Sequence, residues 1–168
     1  MNGYIRTTRE CSVSQLHTSL SQAVREFFQT HQLGDVDAVT RMCCETISEK
    51  HNLGRLVSIL DGNPDATTHL AILLTDDWLV WARSGDQTGT VVHGAKLKGI
   101  QVKAFVSRRT KGMELEVSAF IGDSKDFVRG NFQLGPELAA QKFCEEVGQA
   151  VLKLNPPVKR NFLGMTRG

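Results

Sequence analysis

Cysteine is scarce in this chain and badly spaced for metal. Among 168 residues there are four, Cys11, Cys43, Cys44 and Cys144. None forms a CxxC pair or has a histidine at zinc-ligand spacing, which argues against a structural zinc site. Long apolar runs are also missing. The longest uninterrupted aliphatic stretch is residues 70–74, far short of the roughly 20 residues that a membrane span needs. The N-terminal stretch MNGYIRTTREC lacks the apolar core of a signal peptide, so the cytoplasm is the default compartment. Charge of one sign is not in large excess, and a net charge of +2 argues against a general nucleic-acid binder. There is no GxSxG elbow, no HExxH, no P-loop and no Rossmann glycine pattern. These absences leave a non-enzymatic protein without a cofactor as the expectation.

What is present is an ordinary globular composition, 40% hydrophobic and 23% charged, in a chain long enough to bury a core. In the first third, Val13, Leu16, Leu20, Val24 and Phe27 recur at helical spacing after Ser12, a suitable N-cap. Gly34 can end that helix and Asp35 can cap another. Val36, Val39, Cys43 and Ile47 then mark one face of a second helix. The expectation is a helical hairpin over about 13–31 and 35–50, with Cys43, like Cys144, a small buried hydrophobe.

Beyond Gly54 the period changes to alternation. Strands are expected at about 55–60, 69–75, 78–84, 90–97, 100–107, 112–121 and 126–134. The clearest lies in GMELEVSAFIG, where Met113, Leu115, Val117, Ala119 and Ile121 alternate with polar residues. Asp76 and Asp77, between two apolar runs, read as a hairpin turn. Near Gly99 the apolar positions shift phase, from Ala95 and Leu97 to Ile100, Val102, Ala104 and Val106. Such a shift at a glycine marks a β-bulge or a sheet corner. In GPELAAQKFCEEVGQAVLKLNPP, the residues Ala140, Phe143, Val147, Ala150, Val151 and Leu154 form one helical stripe, stopped by Pro156 and Pro157.

Three pieces carry a resemblance: HLAILLTDDWLVWAR, AKLKGIQVKAF and GPELAAQKFCEEVGQAV. They resemble, in turn, the second-to-third-strand hairpin, the corner strand and the closing helix of the pleckstrin-homology-like (PH-like) superfold, in its bacterial and GRAM-type branch. The resemblance covers roughly residues 55–155. It implies an α+β fold: a seven-stranded, strongly bent antiparallel barrel capped by a C-terminal helix. Residues 1–54 would be an N-terminal helical extension and 156–168 a flexible basic tail. One tryptophan of the pair Trp78 and Trp81 would then enter the barrel core and the other would lie under the N-terminal helices. The superfold carries no invariant catalytic residue, so the implied function is that of a binding module. Its eukaryotic members hold phosphoinositides on the first strand pair, but here the matching span, residues 55–74, has only one cation.

The candidate site is a basic stretch. Between Gly94 and Met113 stand Lys96, Lys98, Lys103, Arg108, Arg109 and Lys111, with no acid among them. A concentrated positive hairpin attracts lipid head groups, nucleic acid or an acidic protein surface. The plainer reading is a solvated hairpin lying opposite Glu114 and Glu116. The basic tail residues Lys159, Arg160 and Arg167 could extend the same surface. His69 and His93, near strand ends, could approach Asp76 or Asp77 to form a metal or acid–base site; the lack of ligand spacing favours surface polar groups instead. The leading expectation is a module for protein–protein contacts. The alternatives are a peripheral binder of anionic lipid and, third, an enzyme with an unrecognised site.

Overall fold

The computed structural model describes residues 4–51, 64–108, 110–120 and 127–157. Among these residues, eight strands form two antiparallel sheets. One holds β1 (Tyr4–Glu10), β2 (Met42–Lys50), β3 (Thr67–Leu74), β4 (Trp78–Gly85) and β5 (Gly89–Lys96), in that order. The other holds β6 (Gln101–Val106), β7 (Met113–Phe120) and β8 (Phe127–Gln133). The described α-helices are α1 (Thr18–Thr30), the single turn α2 (Val36–Val39) and the long α3 (Leu138–Leu154), with a 3-10 turn at Val13–Gln15 before α1. Among the described residues no helix is long and apolar enough to cross a membrane.

The α+β class and the closing helix agree with the sequence, but the N-terminal helical hairpin does not. Helix α1 exists, shorter than expected. The second helix is one turn, after which the chain becomes β2, hydrogen-bonded between β1 and β3. The N-terminal segment is therefore part of the larger sheet rather than a purely helical extension. The described strands form two separate sheets of five and three, with no closed barrel. The strand expected at 55–60 and the basic tail lie outside the described residues.

Two apolar layers share the five-stranded sheet. On its inner face, Leu70, Ile72, Leu74, Leu79 and Trp81 pack with Leu115, Val117 and Phe132 of the smaller sheet and with Phe143, Val147 and Val151 of α3. On its outer face, Cys43, Ala71, Leu73, Val80 and Ala82 pack with Leu20, Val24 and Phe28 of α1. Central strands covered on both sides must be apolar at every position, which explains the runs 70–74 and 78–82. Trp81 belongs to the inner layer, its ring 5.3 Å from that of Phe132. Trp78 packs against the layer under α1. Asp76 and Asp77 form the expected turn, with Thr75 Oγ1 accepting hydrogen bonds from the amides of Asp77 and Trp78.

Gly99 is the corner that the phase shift marked. Its φ of 93° is a conformation that a side chain would strain, and there the chain passes from β5 in one sheet to β6 in the other. The corner is clasped by Asn155, which follows α3. Its Oδ1 accepts from the Gly99 amide at 2.7 Å and its Nδ2 donates to the Leu97 carbonyl at 2.8 Å.

Candidate functional site

The basic residues do not converge on a point. Lys96 ends β5 and Lys98 sits in the Gly99 corner. Lys103 lies midway along β6, while Arg108 and Lys111 occupy the β6–β7 turn; all five are exposed. Arg109 lies outside the described residues. Six residues of strand span about 20 Å, so the corner and the turn hold their cations at opposite ends of β6. The result is a strip rather than a pocket.

Two cations rest on aromatic faces. Lys96 Nζ stands 5.8 Å from the centre of the Trp78 ring and Lys103 Nζ 5.3 Å from that of Phe105. Register sets Lys103 opposite Glu116 and Phe105 opposite Glu114, as the solvated-hairpin reading requires. The turn itself is tightly built. Lys111 has a φ of 58° and its amide donates to the Ser107 carbonyl at 2.9 Å. At Gly112 a Cβ would meet the Leu134 carbonyl oxygen at 2.2 Å, so only glycine fits beside β8.

Strand β6 is the edge of its sheet, paired only with β7 among the described strands. Its inner-face residues are poorly covered: Ala104 is exposed and Val106 is 60% exposed. On α3, which packs on β6, Leu152 is 64% exposed. An edge strand presents unpaired backbone groups, and lysines along it keep it from pairing indiscriminately.

A second cluster escaped the sequence reading because Glu45 falls inside the residues read as helix. In the structure Glu45 is on β2, 1% exposed. Its Oε2 accepts from Arg9 Nη2 at 2.6 Å and Nε at 3.2 Å, and its Oε1 accepts from the His17 amide at 3.2 Å. His69 Nδ1 lies 3.2 Å from the same Oε1. His69 therefore faces Glu45 rather than Asp76 or Asp77, and His93 lies beside Trp81. The rings of His17 and His69 stack at 4.3 Å. Burial pushes the Glu45 carboxyl up, but the hydrogen bonds from Arg9, His17 and His69 outweigh it and hold the group below its ordinary value.

This network joins β1, the start of α1, β2 and β3. It is not arranged as a nucleophile with its base. Ser19 Oγ meets His17 Nδ1 at 2.9 Å, whereas the carboxylate meets the ring of His69. Among the described residues no group of histidine, cysteine, aspartate and glutamate could hold a metal ion. Nearby, the Cys11 amide donates to the Cys43 carbonyl at 3.0 Å. Burial pushes the Cys44 thiol up to about 12 and the Cys144 thiol up to about 11, as expected of unreactive core cysteines.

Glu45 gives the molecule a predictable acid response. A carboxylate held below its ordinary value stabilises the fold above that ordinary value and loses the contribution as pH falls through the folded one. Glu45→Gln keeps the shape and removes the charge, so it is expected to cost about 2 kcal/mol at neutral pH. In urea unfolding the difference from wild type should shrink as pH is lowered through the carboxylate range, where wild type loses the same charge. A constant difference across that range would show that the charge is not what matters.

A scan against protein-family models finds no match to this chain, and a search of the curated proteins finds none.

Proposed function

We propose that the chain is a non-enzymatic binding module of PH-like architecture, and that it takes an extended acidic segment of a protein partner along β6. Strands β2–β5 in one sheet and β6–β8 in the other, followed by α3, supply seven antiparallel strands and a closing helix. That order supports the PH-like reading, with β1 and α1 as additions. Among the described residues the first of the seven is β2; the strand expected at 55–60 lies outside them.

One observation carries the functional reading: the edge of β6 that no described strand pairs with runs through the stretch that holds six cations and no acid. An extended peptide can add to such an edge by backbone hydrogen bonds. Lys96, Lys98, Lys103, Arg108 and Lys111 would favour acidic side chains at either end and in the middle, and uncovered Ala104 and Val106 would meet apolar ones. Charge complementarity of this kind sets specificity and association rate more than raw affinity.

The test is binding of a labelled peptide of alternating glutamate and valine, read by fluorescence anisotropy. A lysine–valine peptide and anionic phosphatidylserine vesicles serve as comparisons. Arg108→Ala, Arg109→Ala and Lys111→Gly together are expected to weaken glutamate-peptide binding about tenfold while leaving the fold intact. Glycine also relaxes the Lys111 backbone. Affinity should fall steeply with salt, since exposed charges are screened over about 8 Å at physiological ionic strength. Binding to vesicles but not to the peptide would transfer the strip to a lipid surface. Binding to neither would leave it a solvated face.

A further inference from the structure

Cys11 and Cys43 stand at the root of the segment that carries α1. The chain leaves the larger sheet at Cys11, just after β1. It then forms the 3-10 turn, α1 and α2, and rejoins the sheet at the start of β2. The β1–β2 register sets Glu10 opposite Cys44, so its continuation sets Cys11 opposite Cys43. The hydrogen bond from the Cys11 amide to the Cys43 carbonyl, 3.0 Å long, holds the two residues side by side. Residues paired in this way have Cα atoms about 5.5 Å apart, inside the roughly 4.4–6.8 Å that a disulfide spans.

Neighbouring contacts fix that register. Arg9 grips Glu45 on the same face of the sheet. On the other face, Thr8 ties β1 to Thr46 and, across the seam between the sheets, to the segment that follows β8. Its Oγ1 lies 2.7 Å from Thr46 Oγ1 and accepts from the Gly135 amide at 2.7 Å, while its amide donates to Glu137 Oε2 at 2.8 Å. The two cysteines therefore face each other across anchored strands.

Their surroundings give them different chemistry. Cys43 is 3% exposed in the layer under α1, and half-buried Cys11 packs against the same layer. The two thiols are hydrogen-bonded to each other, and that bond holds the Cys11 thiol below its ordinary value. The Arg9 guanidinium acts the same way, while burial and the Glu45 carboxylate oppose it. The same hydrogen bond, with burial, pushes the Cys43 thiol up. Within the pair Cys11 is the first to ionise, and it is the one that solvent reaches. Cys44 and Cys144 are buried in the core between the sheets.

We infer that Cys11 and Cys43 are a redox-modification site, at which hydrogen peroxide oxidises Cys11 and Cys43 resolves the product as a disulfide across the root of the α1 segment. The Cys11 thiolate attacks a peroxide oxygen and the O–O bond breaks. The sulfur becomes a sulfenic acid, and the departing hydroxide takes up a proton to become water. The Cys43 sulfur then attacks the Cys11 sulfur; the S–O bond breaks and the hydroxide leaves as water with the Cys43 proton. The two thiols have together lost two electrons and two protons, and one peroxide has become two waters. This site does not depend on the peptide reading of β6.

The test treats the reduced full chain with hydrogen peroxide and reads its intact mass and tryptic peptides. The monomer is expected to lose two hydrogens, with fragment 10–25 joined to fragment 42–50 through Cys43, and dithiothreitol should restore it. Cys11→Ser, at a half-buried position where serine is tolerated, should abolish the bond. Cys43→Ala removes the resolving thiol, so Cys11 should accumulate as a sulfenic acid that dimedone traps at about ten times the wild-type yield. The inference is overturned if the mass does not fall, or if the bond joins Cys44, Cys144 or two chains. Loss of the same hydrogens in Cys11→Ser, or no dimedone adduct on Cys11 in Cys43→Ala, would also overturn it.

Discussion

Phe143→Ala is expected to destabilise the protein by about 3–5 kcal/mol, measured by urea unfolding. The ring is fully buried and lies in the same apolar cluster as residues from both sheets. Helix α3 covers the interior between the sheets through Phe143, Val147 and Val151, so a missing ring leaves space that neither sheet can fill by moving alone. Cavities of this kind add to the lost transfer energy because the surroundings relax only in part. A loss below about 1 kcal/mol would show that α3 is not integral to the core.

Removal of residues 1–40 should be more damaging still. It takes away β1, α1 and the contacts of Arg9 and His17 with Glu45. It also uncovers Ala71, Leu73, Val80 and Ala82, each 0% exposed in the intact chain. These residues form the outer face of two central strands, and no other described element covers them. The shortened chain is expected to aggregate or remain unfolded, seen as collapsed amide dispersion in its NMR spectrum. A soluble remainder with a dispersed spectrum would mean that β2–β8 and α3 fold without the N-terminal segment.

Strand β7 and the closing helix were legible because each has one dominant burial pattern, and β3 and β4 because their unbroken apolar runs flank a turn. Strand β7 alternates on a single buried face, and α3 repeats at helical spacing. Strand β2 defeats both patterns: Met42 through Thr46 are all buried, since α1 covers one face and α3 and the smaller sheet cover the other. Without alternation, the coincidence of Val36, Val39, Cys43 and Ile47 at helical spacing won the reading. Strand β1, YIRTTRE, was invisible for the opposite reason. It is an edge strand with only Thr8 fully buried, so its sequence carries almost no apolar signal. The basic strip could be read because charge runs are local. The Glu45 network joins residues far apart in sequence, and it does not appear until the register of β1, β2 and β3 is known.

The hydrogen bonds of Thr8 also set a timetable for the nascent chain. Thr8 closes on Gly135 and Glu137 across 127 and 129 residues of sequence. At the usual pace of about 5–20 residues per second, synthesis of that interval takes roughly ten seconds. Over that time, β1 has no counterpart at the seam, and the apolar inner face of the larger sheet still lacks α3. Contacts this distant in sequence make folding slow. The chain therefore makes both described sheets with their shared apolar face open, and α3, which closes it, emerges only after them.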